Sequence, residues 1–286
     1  MTEAATPYLT HCPVGCTSAL ESTAYLLPEG ALRRCPECGQ LLSRCTEERY
    51  WQSMEEFDDP QGTLPDARSV ERRFQRSKRF LDRISSLLGK PAGETRMLDV
   101  GCSSGAFLGA AVKLGYQAEG VEPAARAAQT AQAAGLKVRQ GLLQEAGFDD
   151  GQFDAVTLFE VIEHLQEPQD LLKECHRILR PGGVMLVGTG NAGGWSMAAM
   201  GAKWEYLDIA RHGGHISFFT PHSMGVLAQR TGFEVAAVYT RSVRFCERGD
   251  CAKPVYTLAK IAGELLNPLA AMMDKGGDMA VYLRRK

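Results

Sequence analysis

The stretch "MLDVGCSSGAF", Met97 to Phe107, constrains this chain more than any other. An apolar run broken only by Asp99 enters Gly101-x-Ser103-x-Gly105 and leaves through small and apolar residues, the pattern of a strand, a tight turn and a helix. Such turns let a nucleotide-bearing ligand approach the backbone, and glycine is needed where the approach is closest. A pyrophosphate-bridged dinucleotide wants glycine at the second position of the motif. Ser103 stands there instead, which argues against that ligand class.

From Arg96 onward strand-like and helix-like segments alternate, which predicts an α/β fold with a parallel sheet and crossover helices. "RMLDVG" precedes a helix over Ser104 to Leu114. "AEGVEP" precedes an Ala-rich helix closed by Gly135, and "LKVRQG" follows. "FDAVTLFE" is apolar nearly throughout, as befits a strand buried on both faces. A helix from Asp170 to Leu179 halts at "RPGG", and "VMLVGTG" comes next. Pro221 to Thr231 reads as a helix, with "GFEVAAVYT" and the terminal "MAVYLRRK" as the last strands.

The chain has 286 residues, room for one large α/β domain and a small module. Its net charge of -2 gives no overall push toward nucleic acid or anionic membrane. No apolar run reaches the roughly 18 residues of a membrane span. The opening "MTEAATPYLTHCPVG" lacks the basic and apolar regions of a signal peptide. Nine cysteines in that setting point to a reducing compartment, and the expected location is cytoplasmic.

Residues 1–48 carry five of the cysteines and read as a zinc-ribbon-like module. Cys12 and Cys16 form one short-spaced pair and Cys35 and Cys38 another, enough for a tetrahedral Zn²⁺. Four protein ligands leave no open coordination position, so the expected role is structural, a staple for a segment too short to build its own core. Cys45 is left as a plain thiol.

Residues 49–95 read as a linker followed by an amphipathic basic helix. Val70, Phe74, Ser77, Leu81, Ile84 and Leu88 share one stripe, while Arg68, Arg72, Arg73, Arg76, Lys78, Arg79 and Arg83 occupy the opposite face. The favoured reading is a helix packed on the catalytic domain with a solvated basic face. The sharper reading, a contact for RNA or an anionic substrate, is diluted by Glu71 and Asp82.

"LDVGCSSGAF", "GVEP", "FDAVTLFEVIEHL" and "LRPGGVMLVGT", in this order and spacing, resemble the motifs of class I S-adenosylmethionine-dependent methyltransferases over roughly residues 96–243. The resemblance implies a Rossmann-like, seven-stranded, mostly parallel sheet with a reversed last strand, here within residues 96–286. It also implies S-adenosylmethionine as cofactor, lined by Asp99, Gly101, Cys102, Ser103 and Gly105. Glu122 would take the ribose hydroxyls beside Pro123, and Phe159 and Glu160 would lie next to the cofactor. Many members carry an acidic residue after the third strand; Leu142 stands there, with Glu145 as the substitute.

Glu160, Glu163 and His164 sit at i, i+3 and i+4, so a helical turn would project them from one face toward a divalent ion, with His215 as a later partner. The trio resembles one that holds Mg²⁺ or a similar ion in small-RNA 2′-O-methyltransferases and ubiquinone-pathway O-methyltransferases. In other methyltransferases the same residues only hydrogen-bond loops. Residues 191–221, with Trp195, Trp204 and Tyr206, read as a mobile substrate cap. His215 is the first candidate general base there, followed by His212 and His164. The helical insertion 246–278, bent near Pro268, reads as core packing or a homodimer contact.

The expected activity is methyl transfer to oxygen or carbon of a small-molecule acceptor of sugar, quinone, lipid or polyketide type. An RNA methyltransferase using the zinc module and basic helix is the alternative enzyme, and a non-catalytic zinc-ribbon binding module the alternative from outside enzymology.

Overall fold

The computed structural model describes residues 6–58 and 67–286. In chain order its strands and α-helices begin with β1 (Glu21–Leu27), β2 (Gly30–Arg34), β3 (Leu41–Leu42), α1 (Glu47–Asp58) and α2 (Ala67–Leu88). Then come β4 (Arg96–Val100), α3 (Ala106–Lys113), β5 (Gln117–Glu122), α4 (Ala125–Ala133), β6 (Val138–Gln140) and β7 (Phe153–Phe159). α5 (Pro168–Ile178), β8 (Leu179–Gly190), α6 (Trp195–Met200), α7 (Ile209–His212) and β9 (Ser217–Phe218) follow. α8 (Pro221–Arg230), β10 (Phe233–Arg241), α9 (Lys253–Met272) and β11 (Asp278–Arg285) close the chain.

Seven strands form one sheet in the order β10-β11-β8-β7-β4-β5-β6. β4 to β8 are mutually parallel, and β11 inserts antiparallel between β10 and β8. The apolar run in β7 is explained by its place between β4 and β8, where Phe153 to Leu158 are all buried. Helix starts follow local chemistry. At α8 the Thr220 hydroxyl accepts from the Ser223 amide at 3.1 Å, Ser223 Oγ accepts from the Thr220 amide at 3.0 Å, and Pro221 takes the first position.

The N-terminal strands belong to a second sheet, β1-β2-β3-β9, whose last member comes from the far side of the chain. Leu41 pairs with Phe218 and Leu42 with Ser217. Trp204, Tyr206, Leu207 and Phe218 are consequently buried with Leu27, Leu32 and Leu41. The stretch expected to be a mobile cap is instead packed against the N-terminal sheet, because its aromatic rings supply that sheet's apolar face.

Three helical segments differ from expectation in detail. Part of the linker, Glu47–Asp58, is helical. In α2 the apolar stripe holds over Leu81 and Ile84, both fully buried, but Val70 is exposed. α9 continues past Pro268 as one helix and buries only Gly263 and Ala270, with Val255, Leu258, Leu265 and Met272 outward. It therefore adds little to the core. Among the described residues no helix is long and apolar enough to cross a membrane.

Candidate functional site

β4 delivers the chain to Gly101, whose φ of +68° is left-handed; a Cβ there would lie 2.5 Å from Val161 Cγ2, so only glycine fits. Ser103 also takes a left-handed φ, +48°. It is held by Glu122 at the end of β5, whose Oε2 accepts from the Ser103 amide at 2.8 Å and whose Oε1 accepts from the Ala124 amide at 2.9 Å. One buried carboxylate thus ties the glycine turn to the start of the next helix. Asp99 lies beneath, 2% exposed, accepting from Thr157 Oγ1 at 2.6 Å. Burial, assisted by the Glu122 charge and opposed by the Thr157 hydroxyl, pushes Asp99 up to about 7.

The other expected cofactor residues are placed unevenly. Gly105 opens α3 with a left-handed φ, and Pro123 is exposed beside Glu122. Cys102 turns its thiol inward among Leu108, Ala128, Ala131 and Val138, where burial raises it to about 12, so the side chain does not reach the cleft. Glu145 is exposed and its Oε2 accepts from the Leu142 amide at 3.3 Å, closing the turn after β6.

Beyond the turn, the carboxyl ends of β7, β8 and β10, the start of β11 and one side of α2 enclose a small cleft of about 50 Å³. This is the edge at which open parallel sheets bind their ligands. Phe159, Glu160, Gly188 and Asp278 lie on its floor, Arg76 and Arg241 on its wall. Phe107, Phe159 and Phe80 form an aromatic row with ring centroids 4.6 and 5.3 Å apart. Glu160 has a left-handed φ of +52° and donates its amide to the Gly188 carbonyl at 2.9 Å.

That backbone twist breaks the expected single helical face. Only Ile162–His164 form a helical turn, a 3₁₀ one, so Glu160 lines the cleft, while its carboxyl still meets Glu163 and Tyr206, and burial with the Glu163 charge holds it well above the usual carboxylate range. The ligand atoms of Glu163, His164 and His215 all lie within 4.8 Å of one another. His215 is 2% exposed, and its Nδ1 donates to the Tyr206 carbonyl at 3.0 Å, which leaves the Nε2 lone pair aimed at Glu163 Oε1, 3.7 Å away. The Tyr206 hydroxyl donates to the same carboxylate oxygen and lies 2.9 Å from Thr189 Oγ1. His212 stacks on His215 at 4.9 Å.

Burial lowers the pKa of His164 and His212, and brings His215 down to about 4. Burial alone would raise Glu163; positive charge on His215 and His164 would lower it. Those effects oppose each other, because a histidine kept neutral lends no charge. With burial holding His215 at about 4, its imidazole is neutral near pH 7. Glu163 Oε2 and His164 Nδ1 are buried with no hydrogen-bond partner. One carboxylate and two imidazole lone pairs converging in this way suit a divalent cation, and the nitrogen donors match a transition metal better than Mg²⁺, which prefers oxygen. No histidine is among the residues lining the cleft.

The group is held by a helix that sequence reasoning passed over. Tyr50 of α1 donates its hydroxyl to the His164 carbonyl at 3.1 Å, and Ser53 Oγ accepts from the Gly214 amide at 2.9 Å. Gly214 has a φ of +72°, and a Cβ there would meet Met54 Sδ at 2.6 Å. The Ile216 amide donates to the Glu163 carbonyl at 3.0 Å and the Ser43 amide to the Ile216 carbonyl at 2.8 Å, so the module's backbone reaches the site in two steps.

Cys12, Cys16, Cys35 and Cys38 are all buried with their sulfurs within 4.8 Å of one another. Hydrogen bonding from Cys38, at 3.6 Å, brings Cys12 down to about 5, so one sulfur is already disposed to be a thiolate. Four soft ligands in a closed set fit a tetrahedral zinc. Cys45 lies apart, raised to about 12 by burial, and Cys246 is joined to Cys251 as a disulfide. Arg230 of α8 donates to the Val14 carbonyl at 3.1 Å, anchoring the cysteine knuckle to the large sheet's helices.

A reversed-strand sheet of seven members, with a glycine turn above Asp99 and Glu122, defines a class I S-adenosylmethionine-dependent methyltransferase. The sequence pattern of the family described as a methyltransferase domain matches residues 69–238, and the chain belongs to that family. It is 28% identical over 167 residues to the ubiquinone biosynthesis O-methyltransferase of Pseudomonas aeruginosa (strain LESB58), covering 54% of this chain and 69% of that protein. The protein of that name in Pseudomonas paraeruginosa is 30% identical over the same length and shares. A S-adenosylmethionine-dependent methyltransferase from Archaeoglobus fulgidus superposes with a TM-score of 0.54 at 18% identity, over 76% of this chain and 95% of that one. A putative sarcosine dimethylglycine methyltransferase from Galdieria sulphuraria gives 0.52 at 16%, over 84% and 99%. At these identities the solved structures speak for the fold alone.

Proposed function

We propose that the protein transfers the methyl group of S-adenosylmethionine to a hydroxyl of a small-molecule acceptor seated in the cleft between α2 and the ends of β7, β8, β10 and β11. The observation that carries this reading is the junction at Phe159 and Glu160, where the glycine-turn half of the site meets an aromatic cleft too small for a macromolecule's folded surface. The names of the O-methyltransferase relatives support oxygen as the acceptor atom.

S-adenosylmethionine supplies an activated methyl on a sulfonium, displaced in line, so the protein's work is alignment and exclusion of water. Gly101, Ser103 and Gly105 would bind it, with Asp99 and Glu122 holding the turn and facing its ribose and methionine portions. Phe80, Phe107 and Phe159 would form the dry wall at the point of transfer. His215 would act through position, by orienting Glu163 and His164. Those three would hold a divalent cation outside the acceptor cleft, tying the turn after β7 to the stretch before β9. The four clustered cysteines would hold a structural zinc, in the cytoplasm, where the seven unpaired thiols stay reduced.

The test is calorimetry of zinc-loaded protein with S-adenosylmethionine and S-adenosylhomocysteine, followed by transfer of labelled methyl to hydroxyl acceptors. Both nucleosides bind the wild type, and Glu122→Ala weakens both by about ten-fold or more through loss of two charge-assisted hydrogen bonds. Absence of nucleoside binding would overturn the assignment.

A further inference from the structure

We infer that the acceptor carries an oxyanion, a carboxylate or a phosphate, seated between the guanidinium groups of Arg76 and Arg241 with its flat apolar part against Phe80. This rests on the methyltransferase reading and names the acceptor class of that same site.

The cleft opens outward into a wider mouth where Arg72, Arg76, Arg79 and Arg241 outnumber the one acidic lining residue, Glu71. Arg76 and Arg241 line both parts, so they stand where the two meet. Arg72, Arg76 and Arg79 follow one another at spacings of four and three on one face of α2. The Arg76 and Arg241 guanidiniums lie over the same ring, 5.9 and 5.6 Å from the Phe80 centroid.

These cations also lack a close acidic partner. Arg177, Arg180, Arg211 and Arg244 each pair with a carboxylate. Among the described residues no carboxylate oxygen lies within 4.0 Å of Arg76, Arg79 or Arg241. Arg241 is half-buried, and burial with the charges of Arg76 and Arg79 lowers its pKa against the opposing pull of Asp278, its cross-strand neighbour; an anion would relieve the crowding that remains.

The acidic groups of the region do not cancel this. Glu160 and Asp278 belong to the inner cleft, and Glu71 accepts from Gln75 at 2.7 Å. The cleft is therefore graded along its length, aromatic and acidic where the methyl is transferred, basic at the mouth. A small acceptor with its hydroxyl inward and its anion outward matches that gradient. A polynucleotide would need an extended basic track. Here the cations converge on one aromatic ring.

The test uses the full-length, zinc-containing protein saturated with S-adenosylhomocysteine and three probes that share a benzyl group: benzyl phosphate, phenylacetate and benzyl alcohol. At least one anion binds, and benzyl alcohol binds about ten-fold more weakly or not at all. Arg76→Gln and Arg241→Gln each weaken the anion about ten-fold while nucleoside affinity and zinc content stay within two-fold of wild type, which also certifies folding. Arg241→Lys keeps most of the affinity, and Arg73→Gln, on the exposed face, changes nothing. The ratio of benzyl phosphate to phenylacetate affinity tells which oxyanion is preferred. Equal binding of benzyl alcohol and the anions overturns the inference, as does full affinity in both glutamine variants. Tight, steeply salt-dependent binding of a single-stranded RNA oligonucleotide that Arg76→Gln abolishes also overturns it, in favour of a polynucleotide. Loss of nucleoside binding in the wild type would sink the methyltransferase reading instead, so the two failures are distinguishable.

Discussion

Asp99 shows how one buried acid couples the site to stability. Its carboxyl is raised to about 7 in the folded protein, against an ordinary value near 4 when unfolded. Between those values the native state binds the extra proton, so stability falls as pH rises from about 4 to 7 and levels off above. Asp99→Asn removes this dependence. In denaturant titrations at pH 4.5 and 7.5, the wild type loses stability relative to the variant on going to the higher pH, by an amount on the order of a few kcal/mol; parallel curves would show that Asp99 titrates normally. The placement of Asp99 and Glu122 about the glycine turn was readable from sequence because turn chemistry is local. That of Glu160 was not. Its place on the cleft, off the helical turn that carries Glu163 and His164, depends on a single left-handed φ of +52°, which a glutamate gives no warning of.

Among the elements, periodicity found those with a strong apolar stripe and missed those whose burial is supplied by distant partners. The strands of the large sheet and α8 were legible because apolar runs, caps and glycines mark them. α1 was not, because "EERYWQSMEEFD" is mostly polar and its few anchors, Tyr50 and Ser53, are buried by a loop more than a hundred residues away. This helix positions the Glu163, His164 and His215 group, so truncating its contacts should act at a distance. Tyr50→Phe removes the hydrogen bond to the His164 carbonyl and costs about 1 kcal/mol. It also weakens binding of Co²⁺, used as a spectroscopic probe, while leaving S-adenosylhomocysteine affinity unchanged. Unaltered cobalt spectra in this variant would mean that α1 only packs. Thr220→Ala, by contrast, loses a capping box and costs about 1 kcal/mol in thermal unfolding without touching metal or nucleoside.

At the scale of the molecule, the small N-terminal sheet and the large one share material, a fact no local pattern contains. β3 pairs with β9, β9 lies next to the histidine that faces Glu163, and the cysteine cluster packs with Phe219 and Met224 in the main core. A metal at the four cysteines would therefore stabilise more than the knuckle that binds it, since a ligand bound only by the folded state stabilises everything cooperative with its site. Cys35→Ser or chelation should lower the melting temperature and speed amide exchange in β1 to β3, and the acceleration should spread to Ile216 and Ser217 through the Ser43 and β9 hydrogen bonds. The amides of β4 and β7, parallel and interior, should stay protected because their partners lie wholly within the large sheet. Exchange that accelerates in β1 to β3 but leaves β9 at its native rate would mean that the module is only tethered to the catalytic sheet. Acceleration of both would mean that the zinc site and the Glu163 group are two ends of one folded unit.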